Sequence, residues 1–365
     1  SVVMKWKEQA TRLRSMGIRN GSTEEPSRIF RALSRSRKGE PVALSSDSEV
    51  DLSEFAEILL ETQYRLGNQI GCGHFGLVFA AESLHDGKCY AIKMFSNRNE
   101  NSRKWIAFKE EARILSYLRG VPGVVHLREA LTWKKQQALV LEFVPGQTLT
   151  SFIRSRTRLN EDETRSIFIA LATVVKHLHN ENVGIVHRDI KGENVMLNWK
   201  TINGQKIPII TLIDFGTACF VNDAERLKRG AGTFEYAAPE VLRGNPASTK
   251  CDSWSLGILL FALLAGYLPF HGKNDESTAA LVLKGPSFHR LPWSDGSVSL
   301  RARNLVRKLL SMDEKRRYNL SECLNHPWIT QEEFHDLERE NSACLAQVDL
   351  YNLQPSLRSM SCVAR

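Results

Sequence analysis

Two short clusters hold groups that could do chemistry. His187-Arg188-Asp189-Ile190-Lys191-Gly192-Glu193-Asn194 sets a carboxylate, an ammonium and an amide close together, and Asp214-Phe215-Gly216 adds a second carboxylate downstream. Asn194 and Asp214 offer hard oxygen ligands of the kind Mg²⁺ takes. Upstream, Gly71, Gly73 and Gly76 make a G-x-G-x-x-G pattern. Alone that pattern is weak, because dinucleotide-binding folds also use it. Here the glycines lie between two strand-like runs and no helix opens after Gly76, which favours a strand–turn–strand flap over phosphates. Glycines there let the backbone come close to phosphate oxygens. Lys93 ends the apolar run Tyr90-Ala91-Ile92-Lys93, where a charge is costly without a partner.

The elements that must position these groups follow from the hydrophobic periodicity. Strands are expected at Gln69-Ile70, Leu77 to Ala80, Tyr90 to Lys93, about 124–131 and 138–142, with a helix at about 103–118. Beyond Gly146 the pattern is mostly helical, at roughly 148–156, 162–181, 248–266 and 299–311. The fold class is therefore α+β, a sheet-rich half followed by a helix-rich half. The apolar run Leu256 to Phe270 is interrupted by Gly257, Gly266 and Pro269, too short to span a bilayer, and reads as a buried helix. Hydrophobic residues at 42% and charged residues at 25% suit a globular protein. Seven scattered cysteines with no C-x-x-C pair argue against a zinc site or disulfide framework and for a reducing compartment.

Taken in order, Gly71, Gly73, Gly76, Val78, Ala91-Ile92-Lys93, the His187–Asn194 stretch, Asp214-Phe215-Gly216 and Ala238-Pro239-Glu240 resemble the motif set of the eukaryotic protein kinases over about residues 64–330. The resemblance implies a two-lobed fold, N-lobe about 64–143 and C-lobe about 147–330, with ligand in the cleft between them. It implies ATP and Mg²⁺ as cofactors. Lys93 would contact the α- and β-phosphates and pair with a helix glutamate, Glu111 in preference to Glu110. Asp189 would accept or orient the proton of the attacking hydroxyl, Lys191 would steady the γ-phosphate, and Asn194 and Asp214 would hold the metal. Val78 and Ala91 would cover adenine, Leu141 would be the gatekeeper, and the backbone of Glu142 and Val144 would meet the ring edge. Lys191, with Gly232-Thr233-Phe234-Glu235-Tyr236, points to Ser/Thr substrates. His187, Phe215, Leu115 and Leu127 resemble the apolar spine joining the lobes. Glu240 with Arg317 matches a buried ion pair, and Asp252 the brace of the catalytic loop.

Departures from the pattern carry information. Between Gly216 and Ala238 only Thr217, Thr233 and Tyr236 bear hydroxyls, and the place of the usual activating phosphothreonine reads Arg229. Activation-loop phosphorylation is therefore not expected to be required, with Asp223 or Glu225 pairing with Arg188 instead of a phosphate. The stretch from Asn194 to Asp214 is long enough for an extended hairpin around Trp199 to Gln205. That turn and Gly266-Tyr267-Leu268-Pro269-Phe270 resemble the calcium/calmodulin-dependent-like group. Of three acidic positions by which basophilic relatives read arginine, two are Thr148 and Ala262 and only Glu193 remains, so a strong Arg-directed preference is not expected. Thr217 hints at a threonine acceptor.

The flanks are polarised. Residues 1–38 hold ten Lys or Arg against three acids, and residues 39–63 hold seven acids and no Lys or Arg. Such composition favours disorder in an extension over 1–63, with short helices around Trp6 to Met16 and Leu52 to Leu59. Residues 1–38 could contact a partner or inhibit the cleft, and 331–365 form a tail. Protein substrates are the expected partners, with no nucleic acid and no transmembrane segment. The cytoplasm is the default location, with the nucleus open. The competing reading is a catalytically silent pseudokinase scaffold, against which stand Lys93, Asp189, Asn194 and Asp214.

Overall fold

The computed structural model describes residues 63–72, 76–96, 103–133, 136–156, 158–289, 292–293 and 296–331. The readings made for the basic and acidic extension, for Gly73 and for residues 332–365 lie outside them.

Strands β1 (Tyr64–Cys72), β2 (Leu77–Ser83), β3 (Cys89–Ser96), β4 (Leu127–Trp133) and β5 (Gln136–Glu142) form an antiparallel sheet in the order β1-β2-β3-β5-β4. Its register sorts the chemistry. Val78 faces Lys93, Lys93 faces Leu139, and Ala91 faces Leu141. Cross-strand partners and i, i+2 neighbours share a face. Val78, Ala91, Lys93, Leu139 and Leu141 therefore line one side of the sheet. Phe79, Tyr90, Ile92, Met94, Ala138 and Val140 line the other, where they form a separate small core with Tyr64. Helix α1 (Arg103–Tyr117) packs on the first face through Ala107, Phe108, Ile114 and Leu115.

The C-terminal part is helical. Helices α2 (Leu149–Ser155) and α3 (Glu161–His179) begin on side-chain caps, Thr148 accepting from Ser151 N and Asn160 from Glu163 N. Three acids in the first turn of α3 and Lys176, His177 and His179 in its last match the helix dipole. The short strand β6 (Gln147–Thr148) leads into α2, and β7 (Ile185–Val186) follows α3. Strands β8 (Val195–Ile202) and β9 (Gln205–Leu212) make the long hairpin expected from the spacing. Its turn, Asn203-Gly204, has φ of 50° and 81°, the left-handed pair of a tight hairpin. After β10 (Cys219–Phe220) come the one-turn helices α4 (Ala224–Leu227) and α5 (Pro239–Leu242), then α6 (Thr249–Ala265), α7 (Asp275–Lys284), α8 (Leu300–Leu309) and α9 (Leu320–Leu324). Helix α6 is buried on every side from Cys251 to Ala265, so the apolar run is a core helix. Among the described residues, no helix is long and apolar enough to cross a membrane. The main core joins α1, the inner sheet face and the helical part into one cluster.

Candidate active site

Lys93 stands on the inner sheet face with its side chain 4% exposed, and it has partners. Its Nζ donates to Glu111 Oε1 and Oε2 at 2.8 and 2.7 Å and to Asp214 Oδ1 at 2.8 Å. Glu111 is wholly buried because it shares the inward face of α1 with Ala107, Phe108, Ile114 and Leu115. Glu110, about 100° round the helix, points elsewhere, to Arg113 and Arg226. Burial pushes the Glu111 carboxyl up to about 7, against the pull of Lys93 and of the Phe215 backbone. Burial also opposes charge on Lys93, but Glu111 and Asp214 outweigh it and hold the ammonium above its usual range. The proton therefore stays on the lysine. For Asp214 burial acts upward, and Lys93 with the Gly216 N–H overcomes it, holding the carboxyl down to about 2.

The loop carrying Asp189 is fixed from below. Asp252 of α6 accepts from His187 N at 2.9 Å and Arg188 N at 2.8 Å, and His179 Nε2 sits 2.8 Å from it. Arg188 and Asp214 adopt left-handed φ of 67° and 65°. For non-glycine residues that conformation persists only where the surroundings over-determine it. Asp189 is held on both oxygens. Thr233 Oγ1 donates to Oδ1 at 2.8 Å, and Lys191 Nζ lies 2.9 Å from Oδ2. Lys191 also donates to Thr233 Oγ1 at 2.7 Å. Asn194 Nδ2 donates to Asp189 O at 2.9 Å and Oδ2 at 3.1 Å, so Oδ1 is the amide atom a cation would take. His187 and Phe215 are buried, with ring centroids 4.8 Å apart, and Leu115 and Leu127 are buried too. Burial draws the His187 imidazole below its usual value, so it is a neutral packing group.

Asp214 and Asn194 Oδ1 fit Mg²⁺ chemically. That cation is bound through one or two protein oxygens and completes its shell with water and substrate phosphates. Among the described residues no group of three or more His, Cys, Asp or Glu side chains could hold a metal by itself. The apolar side chains of Val78, Ala91 and Leu141 fit the face of a flat base. Glu142 N donates to His126 O at 2.9 Å, and Val144 is partly buried beside the main core. Of the glycines, Gly76 has a packing reason of its own, since a Cβ there would come 1.6 Å from Met94 O. A Cβ on Gly71 would meet Val78 at an ordinary 3.7 Å.

One expectation fails. Neither Asp223 nor Glu225 pairs with Arg188. Asp223 caps α4, accepting from Arg226 N, and Glu225 lies 3.7 Å from Lys228. The Arg188 guanidinium instead donates to the carbonyls of Thr217 (2.8 and 2.5 Å), Arg226 (2.5 Å) and Arg229 (3.2 Å). A folded loop supplies lone pairs enough to satisfy a guanidinium without a carboxylate. The other brace appears where expected: Arg317 donates to both oxygens of buried Glu240 at 2.6 and 2.8 Å. Thr148 caps α2, Ala262 is buried within α6 and Glu193 is exposed. The contact between Glu110 and Arg226 was not anticipated. Its one sequence signal was the second glutamate beside Glu111.

The "Protein kinase domain" family matches residues 64–329. Calcium-dependent protein kinase 29 of Arabidopsis thaliana is 32% identical over 304 residues, 83% of this chain and 55% of that protein. Death-associated protein kinase 2 of Mus musculus is 32% identical over 283 residues, 77% of this chain and 75% of that protein. A probable myosin light chain kinase of Dictyostelium discoideum is 32% identical over 290 residues, 79% of this chain and 88% of that protein. The chain spans about half the length of the first of these relatives. With its ordered motifs, its sheet-then-helix architecture and these relatives, the chain belongs to the protein kinase family, Ser/Thr type, in the calcium/calmodulin-dependent-like group.

Proposed function

We propose that the chain is a Ser/Thr protein kinase that transfers the ATP γ-phosphate to serine and threonine hydroxyls of protein substrates, within a kinase domain over residues 64–330. The observation that carries this reading is that two networks are complete together. Lys93 is held by Glu111 and Asp214 while Asp189 is held by Thr233, Lys191 and Asn194. When bound, Mg·ATP supplies the phosphoryl group and a cation to neutralise its charge. Asp214 and Asn194 Oδ1 would hold that cation. Lys93 takes oxygens of the α- and β-phosphates under the flap of Gly71, Gly73 and Gly76. Val78 and Ala91 cover the base, and the backbone of Glu142 and Val144 meets its edge. Asp189 accepts the proton of the substrate hydroxyl, and Lys191 turns its ammonium to the γ-phosphate. Positioning and charge neutralisation of this kind account for most of the rate in phosphoryl transfer.

The same reading has the enzyme active without phosphate on its activation loop. Each hydroxyl of that segment is already engaged or buried. Thr217 Oγ1 donates to His187 O, Thr233 lies between Asp189 and Lys191, and Tyr236 is buried. Arg188 has its carbonyl acceptors. We place the protein in the cytoplasm, with the nucleus open, and assign residues 1–38 a partner or autoinhibitory contact. The test is incubation of the full chain with [γ-³²P]ATP, Mg²⁺ and a generic protein bearing Ser, Thr and Tyr, followed by phosphoamino-acid analysis. Label on threonine and serine is the expected result. Label on tyrosine would overturn the specificity, and nucleotide binding without transfer would favour the scaffold.

A further inference from the structure

Arg226 sits in α4, in the segment between Asp214 and Glu240, yet its side chain reaches α1. Its Nη1 lies 2.5 Å from Glu110 Oε2, and Arg113 Nη2 approaches the same oxygen at 2.9 Å. The side chains of Arg226 and Glu110 are 17% and 28% exposed, so the pair is largely shielded from water. The backbone of Arg226 is pinned as well. Its N–H donates to Asp223 Oδ1 at 3.1 Å, and its carbonyl accepts from Arg188 Nη1 at 2.5 Å. Arg188 adjoins Asp189, and Glu110 adjoins Glu111. One residue thus ties the loop that carries Asp189 to the helix that carries the Lys93 partner.

The surroundings say what this tie restrains. The inner flank of α1 packs on the sheet, but Ile106 on its other flank is half exposed. The C-terminal end is fastened by Tyr117 Oη donating to Asn182 O at 3.0 Å and by Arg113 over the Phe220 ring at 4.8 Å. Glu110 carries the ion pair from α1 to the segment after Asp214, one turn before the ring contacts of Arg113 and Tyr117 with Phe220. We propose that Arg226 is a positioning residue for the Lys93–Glu111 pair. Its guanidinium holds α1 through Glu110, so that Glu111 stays on Lys93 with no phosphate in the segment. The polarity is fixed in the sequence, cation on the loop and anion on the helix, and needs no phosphate to create it. The catalytic consequence rests on the kinase reading above; the mechanical one does not.

The experiment uses full-length Arg226→Gln, Glu110→Gln and the charge-swapped pair Glu110→Arg with Arg226→Glu. Two quantities are read: hydrogen exchange in peptides covering 103–117, and kcat for Mg·ATP-dependent transfer. In both glutamine variants exchange over 103–117 is expected to rise while α6 stays protected. The kcat should fall about fivefold to tenfold with KM for the protein substrate unchanged. The swap should restore both quantities. A merely structural loss would raise exchange in α6 as well. Unchanged exchange over 103–117 in both glutamine variants would overturn the proposal, and so would a swap that restores neither quantity. If exchange responds as expected but the parent protein transfers nothing, the kinase reading falls and the latch stands.

Discussion

Two adjacent glutamates of one helix hold two different cations, and the difference lies in burial. Glu111 and Lys93 are 0% and 4% exposed at a contact of 2.7 Å. Glu110 and Arg226 are 28% and 17% exposed at 2.5 Å. Distance alone would rank the outer pair higher. Desolvation reverses that order. Removing one partner of a buried pair strands the other charge and costs about 3–5 kcal/mol, whereas pairs open to water are worth about 0–1 kcal/mol. The inner pair therefore bears on both stability and chemistry. The outer pair, partly shielded, lies between those limits, and its value is in tethering a helix that must not drift.

The largest predicted effect breaks the inner pair. Lys93→Met should lower kcat by about a hundredfold to a thousandfold and destabilise the fold by about 3 kcal/mol, read by steady-state kinetics and by denaturant unfolding. A fall no larger than that of Arg226→Gln would erase the contrast between the two pairs.

The next pair of variants separates fold from ligand in the glycine flap. Gly76→Ala drives a Cβ into Met94 O and should cost about 1–3 kcal/mol in unfolding free energy. Gly71→Ala has room beside Val78 and should leave the melting temperature unchanged while raising KM for ATP. Equal destabilisation by both substitutions would contradict the packing account of Gly76.

A pH titration sharpens the contrast further. Burial pushes the Glu111 carboxyl up to about 7 in the fold, from 4.5 for an ordinary glutamate. As pH falls below 7 its protonation takes a carboxylate from Lys93, so kcat should fall on the acid side. Stability moves the other way. The fold binds this proton more tightly than the unfolded chain, so the contribution is fully present below 4.5 and is lost as pH rises to 7. A rate profile flat from pH 6 to 8 would show that Glu111 stays ionised throughout. The smallest effect expected is none: phosphatase treatment should leave kcat unchanged, and a large loss would mean that a phosphate holds what Arg226 is proposed to hold.

The site was more legible in the sequence than the links that hold it. Lys93, Glu111, Asp189, Asn194 and Asp214 stand in short motifs, and the apolar flank of α1 already separates Glu111 from Glu110. The buried α6 was legible from its unbroken apolar run. Strand β1 was not fully so. Gln69-Ile70 suggested it, but it runs from Tyr64 to Cys72 at the sheet's edge, where Asn68, Gln69 and Ile70 are exposed and no clean alternation survives. Helix α7 was missed because only Thr278 and Val282 are buried while Leu281 and Leu283 face out, which blurs the helical period. The pairing of Arg188 with Asp223 or Glu225 matched charges that lie close in sequence. Backbone carbonyls, which no sequence marks, took their place. The Arg226–Glu110 contact joins positions far apart in the chain, and only the fold brings them together.

The most direct test measures Mg·ATP affinity and ³²P transfer to a Ser/Thr protein side by side, for the full chain and for Asp189→Asn. Equal nucleotide affinity is expected, with transfer by the parent protein and about a thousandfold less by the variant. Undiminished transfer by Asp189→Asn, or binding without transfer by the parent protein, would contradict it.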